Sequence, residues 1–421
     1  MIDLQHLFKN PQFYRDHQEK RWKDGAIIDE IVRFYRSYKI NTKELDVLRT
    51  QKNQFNETIH SLSENQKKKW LLEMKEISAR IKELEDSVHE NKQQMDLLIG
   101  KVANPLDINT PLGKSDDDNI PIQVYGTVPS FDFEVMPYRE LPVYKKYVKQ
   151  EEGAFAMWSR GYYLTWEIAR FQKVLFDYAL DMILQSGYEL FYVPLMLNDK
   201  VLTWTGHLPD FDGQQYEIML TENKSYYLIW SSEPSIMWYF MNKNLGDLEK
   251  PLFITAQTSC FRKEAWSYGK DQQGILRVHQ FEKIEMVVLC RPEDVEDCFN
   301  KQAEINEYIW NSLGVCFRKV EVCSWDMPAK HTRQQDYEAR FPAVQKFREI
   351  GSNGNASDYQ NRGLKITYMN DENKKAIPFG LNDTGMTFRT WLAILEQNQQ
   401  RNGSVKIPEV LRERFGKAHI E

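Results

Sequence analysis

Arg262 and Glu264, in the tetrapeptide FRKE, precede a long polar loop, and Arg277, Phe281 and Glu285 follow it within RVHQFEKIE. A guanidinium group is planar, permanently charged and able to donate paired hydrogen bonds, so two arginines close together suit phosphate oxygens. An aromatic ring such as Phe281 beside them offers a purine something to stack on. The same segment is also compatible with a solvated hairpin carrying surface ion pairs, because mixed charge is common in loops. His279 invites a general-base reading, but it has no identifiable partner in the sequence and a structural role is expected; His207 is expected to be a packed or exposed loop residue and not a ligand.

The flanking residues must bring these groups together. Leu252 to Ile254 ahead of the segment and IEMVVL after it predict two strands joined by the polar loop. Elsewhere in this half, an amphipathic helix is predicted over Tyr162 to Gln185 and strand-like runs over Leu190 to Leu195 and Met286 to Leu289. Strands interspersed irregularly with helices point to an α+β body with a mostly antiparallel sheet flanked by helices. The chain contains neither GxxxxGK[ST] nor GxGxxG, so no P-loop or dinucleotide fingerprint supplies the phosphate site.

The first hundred residues follow a different rhythm. Trp70, Met74, Ile77, Ile81, Leu84, Val88, Met95 and Leu98 recur at alternating steps of three and four, with Asn91 as one polar seam position. Upstream, Ile31, Phe34, Tyr38, Leu45, Leu48, Phe55, Ile59 and Leu62 do the same, interrupted by Asn41 and Lys52. Proline and glycine are absent from Ala26 to Ile99. This pattern predicts two long helices, each ~50 Å at the usual rise per residue, folding back at SENQK as an antiparallel hairpin. Heptads alone do not identify their partner, and a dimerising coiled coil fits the same spacing. The arm is taken as residues 1–105 and the body as 106–421; the proline-, glycine- and aspartate-rich stretch from Val102 to Phe133 reads as a linker. Asp116 to Asp118 lack the following glycine and glutamate of a calcium loop.

With 421 residues, 42% of them hydrophobic and 28% charged, the chain has ordinary globular usage and more length than a single core usually takes. No apolar run is long enough to cross a bilayer, and the first residues lack signal or transit character, so a cytoplasmic protein without a membrane partner is expected. The 5 cysteines show no CxxC spacing, and no zinc is expected. A net charge of -6 argues against broad electrostatic capture of nucleic acid while leaving a shape-selective RNA contact open.

Taken in order, these segments resemble the seryl-tRNA synthetases, a family of class II aminoacyl-tRNA synthetases. The helical hairpin is similar to that family's tRNA-binding arm. GYELFYVPLML, with Pro194, resembles the first class II motif; TGHLPDF resembles a family segment reading TGQLPKF; FRKE through RVHQFEKIE resembles the second motif, and GLNDTGMTFRTWLAILEQNQ the third. A single FRxE would be weak evidence, whereas the ordered set together with an arm is specific.

The resemblance implies a class II catalytic domain that activates L-serine with ATP and magnesium and transfers it to serine tRNA, working as a homodimer through the first motif. It places Arg262 on the α-phosphate, Glu264 and Arg277 on the nucleotide, Phe281 against adenine, and Arg389 near the distal phosphate and adenine. Glu349 and Ser352, in REIGS, fall where the family holds magnesium and nucleotide. Ser231 and Glu233 match the TAE triplet of the amino-acid pocket, to which Glu285, Asn382 and Thr384 also belong. Lys67, Lys68 and Lys69 near the arm's tip are candidates for tRNA contact. The chain departs from the family pattern at SSE for TAE, at Asp383 for a glycine, at Arg333 for a lysine, and in a third motif one residue short. Such departures leave two alternatives: a non-catalytic paralogue that binds RNA or protein, and a ligase passing a small amino acid to a non-translational acceptor.

Overall fold

The computed structural model describes residues 1–58, 63–206, 213–221, 224–264 and 274–421. It divides into two compact units, one from Ile2 to Ala103 and the other from Asn104 to Glu421 together with Met1.

The first unit opens with two short helices that the sequence pattern did not reveal, α1 (Leu4–Lys9) and α2 (Pro11–Lys20). The predicted long pair follows as α3 (Ala26–Thr58) and α4 (Glu64–Ile99). Helix α4 begins inside SENQK, where the Ser63 backbone N–H donates to the Gln66 side chain at 3.0 Å, so less of that segment is turn than its polarity suggests. Along the seam Leu45, Ile81 and Leu84 are buried with Leu48 and Ile77 against them, and Phe55 meets Trp70 edge-on at 4.1 Å. Asn41 donates to the Ser87 hydroxyl at 2.9 Å and Asn91 to the Ser87 carbonyl at 2.8 Å, so the polar seam positions satisfy one another as a single layer. Lys67 is half-buried and Lys68 and Lys69 are exposed in the first turns of α4, while Ile59 and Leu62 lie outside the described residues.

In the second unit the described residues form an eight-stranded sheet. Its strands are β1 (Ile120–Tyr125), β2 (Glu189–Leu190), β3 (Leu252–Phe261), β4 (Gln280–Cys290), β5 (Phe317–Glu321), β6 (Arg333–Phe341), β7 (Lys346–Ser357) and β8 (Phe379–Thr387). Their spatial order is β1-β5-β6-β7-β8-β4-β3-β2. Every pairing is antiparallel except β2 with β3. The linker reading needs correction at β1, which pairs with β5 as the sheet's edge. Ile120 to Val124 are exposed and Pro121 sits at a register shift, a combination that an edge tolerates and that no periodic pattern betrays. The expected strand from Leu190 to Leu195 is also shorter, since only Glu189 and Leu190 pair with β3 before the chain turns towards Pro194.

Three helices matter most for holding the sheet: α5 (Trp166–Gln185), α7 (Val295–Ser312) and α8 (Arg389–Gln397), with α6 (Glu233–Tyr239) at the site itself. Helix α5 starts four residues later than predicted, after the short strand pair of Tyr163 and Leu164 with Val148 and Lys149. Phe171, Trp310, Tyr337 and Trp391 are among the fully buried side chains of the main core, so one face of the sheet is sealed by large aromatic surfaces. On the opposite face Val287 and Leu289 of β4 pack in a second apolar cluster with Ile236 and Met237, and polar side chains take the positions beside it.

Candidate active site

Strand alternation decides which residues reach that polar face. On β4, Ile284 and Met286 are wholly buried in the core, so Lys283 and Glu285, which alternate with them, point the other way. On β8, Thr384 lies opposite Glu285, and Asn382 is two residues from it on the same face. Asp383, the departure noted in the third motif, therefore faces away from the site: it is buried and accepts from Asn306 of α7 at 2.7 Å. Burial, and secondarily the charge of Glu285, push its carboxyl well above the usual range. It adds no charge to the pocket.

Two adjoining cavities share a wall formed by Arg262, Glu264, Lys283, Glu349 and Ser352. The larger, about 400 Å³, also takes in Ser231, Glu233, Arg277, Glu285, Lys330 and Asn382. The smaller takes in Phe281, Thr384, Phe388 and Arg389. All the candidate ATP and amino-acid residues thus gather at one place. Thr384 differs from expectation in its position, since it lines the smaller cavity, beyond Lys283, and not the one containing Ser231 and Glu233.

On the smaller side, the Phe281 ring is packed against Phe388 at 5.6 Å, and the Arg262 guanidinium lies 5.0 Å above it. The Arg262 Nε is buried without a hydrogen bond, and no carboxylate pairs with Arg262 among the described residues. A buried cationic donor in that state is matched to an anionic ligand. Glu264 holds a left-handed backbone, φ 52°, and its carboxylate lies 3.3 Å from Arg277 and 3.9 Å from Arg160. Arg389, the first residue of α8, donates to Glu349 at 2.9 Å. The Glu349 side chain is half-exposed, so the packing around it opposes ionisation only in part, and Arg389 and Arg262 hold the carboxyl below its usual range. His279 bonds the Arg262 carbonyl at 3.0 Å and so braces the backbone that carries Arg262. His207 and residues 265–273 of the polar loop lie outside the described residues.

On the larger side, Ser231 donates to Glu285 Oε2 at 2.7 Å and Asn382 to Oε1 at 3.2 Å, while Lys283 forms an ion pair with the same carboxylate. Glu233, at the start of α6, accepts from Gln360 at 2.8 Å and from the Lys330 ammonium on both its oxygens. Ser232, the extra hydroxyl of the SSE triplet, is buried outside both cavities. His331 lies 2.8 Å from Asn382 Oδ1 and 2.7 Å from Gln334. Burial and the neighbouring Lys330 push its imidazole down to about 4, so it is neutral at pH 7. Because Asn382 must donate its amide to Glu285, His331 Nε2 carries the proton that meets Asn382 Oδ1, and in the neutral ring Nδ1 then accepts, which requires the Gln334 amide to turn its N–H towards it.

Sequence reasoning missed Lys283, Lys330 and His331. Lys283 was within reach, being two residues from Glu285 on one strand. Lys330 and His331 come from the loop before β6, and Lys330 meets Glu233 across 97 residues of sequence, a pairing no local pattern announces.

Known proteins resemble this chain along nearly its whole length. Residues 1–106 match the family model described as seryl-tRNA synthetase N-terminal domain, and residues 216–398 match the tRNA synthetase class II core domain (G, H, P, S and T). The serine--tRNA ligase of Corynebacterium glutamicum is 33% identical over 417 residues, covering 99% of this chain and 98% of its own. That of Nautilia profundicola is also 33% identical over 417 residues, covering 98% and 99%. Among solved structures, the seryl-tRNA synthetase from Pyrococcus horikoshii complexed with ATP superposes with a TM-score of 0.91 at 28% identity, covering 100% of this chain and 99% of that one. The cytoplasmic enzyme from Naegleria fowleri in complex with AMP gives 0.85 at 27% identity, covering 98% and 96%. With a helical arm, a mostly antiparallel class II body and relatives of this similarity along its full length, the chain belongs to the seryl-tRNA synthetase family of class II aminoacyl-tRNA ligases.

Proposed function

We propose that the chain condenses L-serine with ATP to seryl-adenylate and transfers the seryl group to the 3′ end of serine tRNA. The observation that carries this reading is Arg262, a half-buried side chain with a buried, unbonded Nε, which stands on the wall shared by an aromatic-lined cavity and a carboxylate-lined one. Adenine fits between Phe281, Phe388 and Arg389, with Glu264 and Arg277 on the nucleotide's polar edge. Serine fits the larger cavity, its hydroxyl and ammonium met by Ser231, Glu233, Glu285 and Asn382, and Thr384 closing the wall next to Glu285. The serine carboxylate then attacks the α-phosphorus, forming the acyl–phosphate bond as the bond to pyrophosphate breaks. Arg262 holds the charge that gathers on the α-phosphate oxygens, so positioning and electrostatics carry the step without a side-chain nucleophile. The tRNA's terminal ribose hydroxyl next attacks the acyl carbon, and AMP leaves.

Glu349 and Ser352 fit a hard cation, because they offer an ionised carboxylate and a hydroxyl on the wall facing both cavities. Magnesium bound there would neutralise charge on the phosphate oxygens. Lys67, Lys68 and Lys69, accessible along α4, suit backbone contacts to tRNA. A homodimer acting in the cytoplasm completes the reading; among the described residues no helix is long and apolar enough to cross a membrane.

Charging tests it. With ATP, magnesium, L-serine and purified serine tRNA, the full chain is expected to form seryl-tRNA, and a chain lacking residues 1–105 to keep serine-dependent ATP–pyrophosphate exchange while losing at least 100-fold in charging, a magnitude set by about 3 kcal/mol of lost tRNA contact. Exchange without charging by the full chain would contradict the transfer step.

A further inference from the structure

Of the four carboxylates lining the larger cavity, Glu264 and Glu349 are paired with arginines, and Glu233 and Glu285 already hold a lysine each. Lys283 pairs with Glu285, and Lys330 pairs with Glu233, the latter two side chains being only 6% and 3% exposed. His331 is neutral and Asp383 lies on the far face of the sheet against Asn306, so neither brings a negative charge into the cavity. Glu233 is also saturated in its hydrogen bonds on the inner side, with Lys330 on both oxygens and Gln360 on Oε1 at 2.8 Å. An α-ammonium brought into such a space needs a carboxylate, because a buried charge without a partner is strongly disfavoured. To reach Glu233 it must replace the ammonium that is there.

We propose that Lys330 is a resident competitor for the substrate-ammonium subsite on Glu233, so that serine binds by exchanging one ammonium for another and Lys330 sets the enzyme's serine affinity. The inference rests on reading Glu233 as the group that receives serine's ammonium. Its reach is greater than a structural ion pair would have. A purely structural pair would stabilise the pocket and leave serine affinity untouched or impaired when broken. A competing cation does the opposite: with Lys330 gone, Glu233 is a buried carboxylate that has lost its paired ammonium, and the incoming ammonium restores one. The long lysine stem gives the displaced head room to move within the 400 Å³ cavity that it lines. Nothing is displaced when the ligand is uncharged at that position, so the free enzyme discriminates less between an amino acid and its hydroxy-acid analogue than an unpaired Glu233 would.

The test is steady-state ATP–pyrophosphate exchange by the full chain with Lys330→Met, measuring serine and ATP dependence separately. The serine KM is expected to fall about tenfold while the ATP KM moves less than twofold, and Lys330→Arg, which restores a cation to Glu233, is expected to bring the serine KM back towards the wild-type value. Lys330→Gln, which keeps a donor without the charge, carries the same expectation if the methionine variant does not fold. In either variant serine should also raise the thermal midpoint by more than it does in the wild type. An unchanged or higher serine KM in a folded variant with a normal ATP KM overturns the proposal. Glu233→Gln separates the two levels: a serine KM raised by Glu233→Gln but not lowered by Lys330→Met defeats the competition alone, whereas a serine KM indifferent to Glu233→Gln defeats the ammonium reading beneath it.

Discussion

At the scale of single residues, the pocket is governed by which groups are charged. The folded His331 imidazole titrates near 4, whereas the unfolded chain's titrates near 6.5. Below 6.5 the unfolded state therefore takes up a proton that the folded state refuses, and stability is lost as the pH falls from 6.5 to about 4. The full difference corresponds to about 3 kcal/mol. Asp336 and Asp383 act with the opposite sign, since burial first, and then the nearby Glu349 and Glu285 respectively, raise their carboxyls well above the ordinary range. A comparison with His331→Gln isolates the histidine: urea unfolding at pH 7 and pH 4.5 is expected to show a smaller loss on acidification in the variant than in the wild type, and equal losses would contradict the depressed imidazole. Much of the site was legible at this scale. Arginines and acids around FRKE announced a phosphate site, and two-residue alternation sends Asn382 and Thr384 to one face and Asp383 to the other. Lys330 and His331 were not legible, because their meaning arises only when a loop lands on Glu233 and Asn382 from far along the chain.

At the scale of elements, backbone approach matters as much as side-chain chemistry. His331 packs flat against β7 at Gly354, where an added Cβ would sit 2.2 Å from the ring carbon Cε1. Gly354→Ala must push the imidazole off Asn382, which in turn orients the amide donated to Glu285. It is expected to cost about 1–3 kcal/mol of stability, as overpacking of a filled site does, and to raise the serine KM. Denaturant unfolding together with exchange kinetics checks both; a variant with wild-type stability and serine KM would show that the contact has slack. The long hairpin was readable because its seam repeats over many turns, and even its exceptions, Asn41 and Asn91, converge on Ser87. The edge strand β1 was not readable, since exposed residues around a proline carry neither period. Helices α1 and α2 are too short for periodicity to stand out.

At the scale of the whole molecule, the order of motifs carried more information than any one of them. An arm, then a proline-marked segment, then FRKE, then the arginine of the third motif correspond to two compact units and to a single paired cavity on the larger one. The retained arginines weigh against a non-catalytic paralogue, and the long arm against transfer to a small acceptor. Selectivity for serine is the property on which the rest depends, because a serine hydroxyl can join the Ser231–Glu285 hydrogen bond in this buried pocket and alanine has no group to make that contact. The direct measurement is ATP–pyrophosphate exchange with serine, threonine, alanine and glycine in parallel, with Arg262→Ala as the control. Serine is expected to exceed alanine and glycine in kcat/KM by at least 1000-fold, an order of magnitude set by the loss of a buried hydroxyl's partners, and Arg262→Ala to lower serine exchange by about 100-fold or more. Equal exchange with alanine, or full exchange by Arg262→Ala, would contradict a serine-activating site built on Arg262.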